Sequence, residues 1–124
     1  MIIVYTYNKC STCRRAVAWL REREVEFDER PIRETPPTEN ELRIVLSVYD
    51  GNLRRLFNTS GQDYRELGLK ERLPSMDEAE AIRLLSENGN LVRRPFLLAG
   101  GKGGAGFKED EWQALLPDPE PKLE

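Results

Sequence analysis

The chain has 124 residues, of which 39% are hydrophobic and 33% are charged, and its formal net charge at pH 7 is −3. This length predicts a single domain that can bury its own core, and the mixed charges give no electrostatic case for strong direct nucleic-acid binding. No apolar run is long enough to cross a bilayer and the N-terminus does not match a signal peptide, so we expect no membrane association and a cytoplasmic location.

The first predicted element is an apolar strand that leads into both cysteines of the chain. Residues 1–7 are rich in β-branched and aromatic side chains, and residues 16–23 continue with helical periodicity. This strand-to-helix junction places Cys10 and Cys13 at a helix N-terminus, where free N–H groups and the helix dipole favour thiolate over thiol. The neighbouring residues that we expect to stabilise a thiolate or bind an anion are Lys9, Ser11, Thr12 and Arg14.

The spacing of the two cysteines predicts a redox-active dithiol. Cys10 precedes the first helical turn and should be the more exposed, attacking sulfur, while Cys13 lies about one turn later and is the natural resolving sulfur. Inert core thiols remain an open alternative. A zinc site within one chain is disfavoured, because zinc takes about four ligands and the chain has no histidine and no third cysteine. The missing histidine also excludes Cys-His and Ser-His catalysis.

A second strand and a helical insert follow. Residues 25–32 predict a strand parallel to the first, which completes a right-handed βαβ unit. Residues 36–90 predict helices, one of which ends near Gly51. The two predicted capping boxes pair Thr38 with Glu41 and Ser75 with Glu78.

The last third of the chain predicts a hairpin and a final helix. Residues 96–99 form a short apolar strand, residues 100–106 a glycine-rich turn, and residues 105–107 the returning strand. Residues 108–116 predict a helix, and residues 118–124 a disordered tail. Two arginines precede the third strand. We expect the Arg93 side chain to be solvated at the surface. For Arg94 three roles remain open: a solvated surface residue, a ligand for an oxyanion, or a group that stabilises a thiolate. Pro95 could be a trans proline at a strand start or a cis proline.

These motifs together resemble the arsenate reductase-like family that includes the ArsC, Spx and YffB proteins. The resemblance spans about residues 2–117 and is carried by Y-x-x-x-x-C-x-x-C-R, L-V-R-R-P-F-L-L and G-F-K-E-D-E-W. It implies a thioredoxin-like α/β fold, with a mixed sheet of about four strands and a helical insertion between strands two and three, in one domain over residues 1–117. It also implies that Pro95 is a cis-proline beside the active site and that Arg94 faces the sulfur of Cys10.

The resemblance implies two activities. Its arsenate reductase branch implies an oxidoreductase that acts on a small oxyanion or disulfide, with an external thiol reductant (glutathione, glutaredoxin or thioredoxin) and no bound cofactor. That branch resembles C-x-T-S-R with three arginines around the oxyanion. Here Arg94 matches one of the three, residues 58–60 contain no arginine, and only Lys108 lies close to residues 106–107. The second cysteine instead resembles the Spx branch, which implies a redox-switched transcription regulator that binds the RNA polymerase α subunit, with Gly51 as a candidate contact.

Overall fold

The computed structural model describes residues 1–116, in which four strands form one mixed sheet in the order β2–β1–β3–β4. Strand β1 (Ile2–Thr6) pairs in parallel with β2 (Phe27–Pro31) and antiparallel with β3 (Phe96–Ala99). Strand β4 (Lys102–Ala105) pairs antiparallel with β3. The predicted mixed sheet with a helical insertion between its second and third strands is therefore confirmed. The tail predicted for residues 118–124 lies outside the described residues.

Within residues 1–116, six α-helices surround the sheet. They are α1 (Ser11–Glu22), α2 (Glu39–Val48), α3 (Gln62–Glu66), α4 (Leu69–Arg72), α5 (Glu78–Glu87) and α6 (Glu109–Leu115). Helix α1 connects the two parallel strands, and α2 to α5 form the insert between β2 and β3. None of the helices within residues 1–116 combines the length and apolar character needed to cross a membrane.

The sheet separates two apolar clusters, because side chains alternate along β1 and β3. On one face, Val4 and Leu97 pack with residues of α1 and α6, among them Trp112. On the other face, Tyr5 and Phe96 pack with the helices of the insert. Strand β1 is thus covered on both sides, and its C-terminal end delivers the cysteine loop at the edge of the core.

The hairpin between β3 and β4 differs from the prediction. Strand β4 already begins at Lys102, so the turn is shorter than residues 100–106 and the returning strand predicted at residues 105–107 is wrong. Close packing explains why glycines occupy this strand: a Cβ on Gly103 would collide with the carbonyl oxygen of Leu97 and lie 2.8 Å from Cγ2 of Val45. The glycine-rich composition therefore indicates close approach of α2 and not a loose turn.

Only the first of the two predicted capping boxes forms. Thr38 Oγ1 accepts a hydrogen bond from the Glu41 N–H at 3.1 Å, and the Glu41 carboxylate accepts one from the Thr38 N–H at 2.9 Å. The second box is wrong, because Asp77 is the N-cap of α5 and Ser75 Oγ instead donates to the carbonyl of Arg72. A 3₁₀ turn that includes Ser75 precedes α5 and moves the helix start beyond it.

Candidate functional site

Both thiols lie at the first turn of α1, directly after β1. Cys10 is the N-cap of this helix with an extended backbone, and the Cys13 N–H donates to Cys10 Sγ at 3.3 Å. Cys10 is half-buried, whereas Cys13 is only 2% exposed. The structure therefore brings the two residues together at a helix N-terminus, and Cys10 is the more accessible, as the sequence predicts.

The buried thiol has an unusual acidity. Burial, followed by a hydrogen bond with Cys10 and the charge of that residue, raises the pKa of Cys13 to about 12. A backbone hydrogen bond from Tyr7 and the charge of Arg94 lower the pKa of Cys13 but do not offset this rise. Cys13 consequently stays protonated at neutral pH.

Arg94 and Pro95 lie in the segment that precedes β3. The Arg94–Pro95 peptide bond is cis, which is the conformation that the resemblance implies. The Arg94 guanidinium carbon lies 4.7 Å from the centroid of the Tyr7 ring, and Arg94 Nη1 is buried with no hydrogen-bond partner in the described part of the chain. The charge of Arg94 lowers the pKa of Cys13; that the guanidinium faces Cys10 stays a prediction.

The remaining predicted residues of the cysteine loop are Lys9, Ser11, Thr12 and Arg14. Thr12 is half-buried, and the other three side chains are exposed. Arg14 Nη1 donates to the carbonyl of Asn8 at 3.0 Å, and Thr12 Oγ1 accepts from Arg15 Nη2 at 3.3 Å. Arg14 therefore braces the loop that carries Cys10, while Lys9 adds positive charge at the surface. Their roles in stabilising a thiolate or binding an anion stay predictions.

Gly51 belongs to the C-terminal end of α2 and not to the cysteine loop. Its φ of +83° is left-handed, and its N–H donates to the carbonyl of Leu46 at 3.0 Å. This is the hydrogen bond of a helix C-cap, which explains a glycine at this position. Gly51 is exposed, and its contact with a partner protein stays a prediction.

Arg93 has a structural role that contradicts the expected solvated surface. It is half-buried, its Nε donates to the carbonyl of Phe57 at 3.1 Å, and its N–H donates to the carbonyl of Leu56 at 2.8 Å. Arg93 thus ties the insert to the segment that carries Arg94.

The sequence motifs did not indicate Tyr7 and Arg33. The Tyr7 ring lies against Arg94, and the Tyr7 hydroxyl accepts a hydrogen bond from Arg33 Nη1 at 3.0 Å. Parallel pairing of β1 with β2, which sets Thr6 opposite Pro31, brings Tyr7 and Arg33 to the same sheet edge. Residues just beyond the carboxyl ends of parallel strands often line binding sites, and that rule would have drawn attention to both.

Comparison with known proteins gives matches along nearly the whole chain. The ArsC family model matches residues 5–115. The "uncharacterized protein YusI" of Bacillus subtilis (strain 168) is 45% identical over 109 residues, which are 88% of this chain and 92% of that protein.

Two further matches carry functional names. The "global transcriptional regulator Spx" of Enterococcus faecalis (strain ATCC 700802 / V583) is 34% identical over 118 residues, which are 94% of this chain and 87% of that protein. A crystal structure described as "a possible arsenate reductase" from Streptococcus mutans UA159 has a TM-score of 0.84 and 39% identity, and the match covers 91% of this chain and 98% of that chain.

Proposed function

This chain belongs to the ArsC family, and from that premise we propose that it is a thiol–disulfide redox protein in which Cys10 attacks and Cys13 resolves. The observation that carries the proposal is the hydrogen bond from the Cys13 N–H to Cys10 Sγ at the start of α1. A sulfur held at a helix N-terminus is a favourable place for negative charge, and the thiolate is the reactive form of cysteine.

In the proposed reaction, the Cys10 thiolate attacks one sulfur of a substrate disulfide. A bond forms between Cys10 Sγ and that sulfur, the substrate S–S bond breaks, and the second sulfur leaves with the electron pair and takes a proton from water. Cys13 then loses its proton and attacks Cys10 Sγ, which releases the first substrate thiol. The substrate gains two electrons and the cysteine pair loses two, so the product is a Cys10–Cys13 disulfide. An external thiol reductant, such as glutathione, glutaredoxin or thioredoxin, returns the two electrons.

The environment of Cys13 supports this order of events. While Cys10 is free, its hydrogen bond and charge help to raise the pKa of Cys13 to about 12. Once Cys10 is bonded to a substrate, its charge is gone, but the Tyr7 backbone and the Arg94 charge still lower the pKa of Cys13. The resolving thiol therefore becomes easier to deprotonate only after the first step.

A small oxyanion is the other substrate class in this proposal. With arsenate, Cys10 Sγ displaces a hydroxyl group from arsenic. The attack of Cys13 on Cys10 Sγ then leaves the electron pair of the S–As bond on arsenic, which yields arsenite and the same disulfide. Support comes from the likeness to the Streptococcus mutans structure and from the guanidinium of Arg94, whose charge lowers the pKa of Cys13.

A redox-switched transcription regulator is the second candidate function. It is favoured by the match to the Enterococcus faecalis regulator, which covers 94% of this chain. In that function the Cys10–Cys13 disulfide is a signal and not a step of turnover. The partner is the α subunit of RNA polymerase, which contacts the exposed Gly51 at the end of α2. Both candidate functions belong in the cytoplasm.

A turnover assay paired with a binding assay separates the two candidates. The reduced chain is incubated with arsenate, or with a small disulfide, and NADPH, together with glutathione and glutathione reductase or with thioredoxin and its reductase, and consumption of NADPH above that of the mixture without the chain is followed. Turnover that disappears in Cys10→Ser supports the oxidoreductase. Co-purification with RNA polymerase in a redox-dependent manner, without turnover, supports the regulator. Turnover that survives in Cys10→Ser contradicts Cys10 as the nucleophile.

A further inference from the structure

Tyr7 contacts the cysteine loop through its backbone and two arginines through its side chain. Its carbonyl accepts a hydrogen bond from the Cys10 N–H at 3.1 Å, and a backbone hydrogen bond from Tyr7 lowers the pKa of Cys13. Its side chain meets Arg33, which follows β2, and Arg94, which precedes β3. The backbone of this one residue is therefore hydrogen-bonded to the Cys10 N–H and to the Cys13 thiol, and its ring contacts two guanidinium groups.

The two arginines are held on the same aromatic ring. The guanidinium carbon of Arg33 lies 5.0 Å from the ring centroid and that of Arg94 lies 4.7 Å from it. Both distances fall within the range of about 6 Å at which a cation is attracted by an aromatic ring. Two like charges repel each other, so the Tyr7 ring and its hydroxyl stabilise an arrangement that the guanidiniums would not adopt alone.

Neither of these two positive charges is cancelled by an ion pair with another residue in the range 1–116. The ion pairs in that range use the arginines Arg30, Arg43 and Arg55. The acidic residues that line a groove with Tyr7 are Glu29 and Glu34, and neither takes part in those ion pairs. No carboxylate in that range forms an ion pair with Arg33 or Arg94, so both guanidiniums can bind an incoming anion, while Glu29 and Glu34 act against it as negative charges lining the Tyr7 groove.

We propose that Tyr7 is a positioning residue that holds Arg33 and Arg94 beside the thiols, so that the site selects anionic reactants. This inference rests on the proposed function, since it names the substrate class of the same thiol pair. Arg33 is exposed and meets a reactant first, whereas Arg94 is half-buried and meets it close to the sulfurs. Arg33 supplies a cation that the sequence motifs, which indicate Lys9, Arg14 and Arg94, do not include.

Alkylation with two reagents of similar size tests the proposal. Iodoacetate is anionic and iodoacetamide is neutral, and both alkylate the Cys10 thiolate. The ratio of their rate constants reports the local electrostatic potential, because the nucleophilicity of the sulfur cancels. Tyr7→Phe keeps the ring but removes the acceptor for Arg33, Arg33→Gln removes the charge, and Arg33→Lys retains it. Arg83→Gln, an exposed position on α5, is the control with the same change of net charge.

We expect Arg33→Gln to lower the iodoacetate-to-iodoacetamide ratio about two- to threefold, because one positive charge that attracts iodoacetate is removed. Tyr7→Phe should lower the ratio by less, because the charge stays on the chain, and the double variant should match Arg33→Gln alone. Arg33→Lys and Arg83→Gln should keep the wild-type ratio.

An unchanged ratio in Arg33→Gln overturns the proposal, and so does an equal fall in Arg83→Gln. If the alkylation ratio falls in Arg33→Gln but not in Tyr7→Phe, the proposed positioning role of Tyr7 is wrong. Failure of the redox function is distinguished separately, because alkylation needs no turnover: it is shown by the lack of a Cys10–Cys13 disulfide after oxidation, whatever the alkylation ratio.

Discussion

The two thiols at the start of α1 have unlike environments although only two residues separate them. Cys10 caps the helix and is half-buried, whereas Cys13 lies on the helix face that packs inward together with Ala16 and Leu20. Helical geometry alone produces this difference, because residues three, four and seven positions apart share one face. Burial keeps Cys13 protonated, which supports the proposal that Cys10 reacts first.

Alkylation of the folded chain should distinguish the two sulfurs. With limited iodoacetamide at neutral pH, we expect modification of Cys10 and not of Cys13, because Cys13 is buried and its pKa is raised to about 12. Peptide mapping by mass spectrometry measures the modified positions, and the chain unfolded in urea is the control in which both should react. Equal modification of the two cysteines in the folded chain would be inconsistent with this environment.

The acidity of Cys13 also predicts how stability depends on pH. The folded chain keeps the Cys13 proton up to its pKa of about 12, whereas the unfolded chain releases it near the ordinary value of 9.0. Because the folded state then binds more protons, the contribution of this thiol is fully present below pH 9.0 and is lost as pH rises toward 12. The stability advantage of wild type over Cys13→Ala should therefore be smaller at about pH 10.5 than at about pH 8 in urea unfolding. An advantage that is constant between these pH values would contradict the assignment.

At the scale of elements, local patterns predict the helices well and the hairpin poorly. The periodicity of α1 and the Thr38–Glu41 box are set by neighbours in sequence, so local sequence is enough to predict both. The predictions of a capping box at Ser75 and of a returning strand at residues 105–107 are wrong, because the structure of both segments depends on contacts with residues distant in sequence. A glycine pattern cannot show whether the chain is turning or is pressed against a helix, and here β4 is pressed against α2.

Close packing of β4 can be tested with two alanine substitutions. Gly103→Ala should destabilise the fold by about 1–3 kcal/mol, because the new Cβ would meet the Leu97 carbonyl and the Val45 side chain. Gly101→Ala is the control, since nothing lies within 4 Å of a Cβ there. Urea unfolding measures both changes. Equal stability of the two variants would contradict the packing of β4 against α2.

The two capping predictions give another matched pair. Thr38→Ala removes the hydroxyl that accepts from the Glu41 N–H, so it should cost about 1 kcal/mol of the free energy of unfolding. Ser75→Ala should change that free energy by less than about 0.5 kcal/mol, because Ser75 does not cap α5. A larger loss in Ser75→Ala than in Thr38→Ala, measured by thermal or urea unfolding, would reverse this assignment.

For the whole molecule, strand β1 connects the thiols to the insert. The Tyr5 hydroxyl donates to Glu41 Oε1 of α2 at 2.8 Å and accepts from Arg30 of β2 at 3.3 Å. Burial and the hydrogen bond with Glu41 raise the pKa of Tyr5, so the Tyr5 hydroxyl keeps its proton and this hydrogen bond at physiological pH. The insert is thereby fixed to the strand that carries Cys10.

The sequence predicted which segments meet at the site but not every side chain that completes it. A strand followed by cysteines and a basic helix indicates a dithiol, because that chemistry depends on local spacing. The contact of Arg33 with Tyr7 depends on the register of two strands separated by α1, and the burial of Arg93 depends on where the insert folds back. Such contacts join residues that are 26 and 36 positions apart, and they carry no local signature.

Mapping the adducts formed with oxidised glutathione tests the central claim most directly. The reduced wild-type chain should end as a Cys10–Cys13 disulfide that retains no glutathione, because Cys13 resolves the adduct. Cys13→Ser should retain one glutathione on Cys10, and Cys10→Ser should retain none, as measured by intact mass and peptide mapping. A glutathione adduct on Cys13 in Cys10→Ser, formed as fast as the adduct on Cys10 in Cys13→Ser, would contradict the assignment of the attacking and resolving sulfurs.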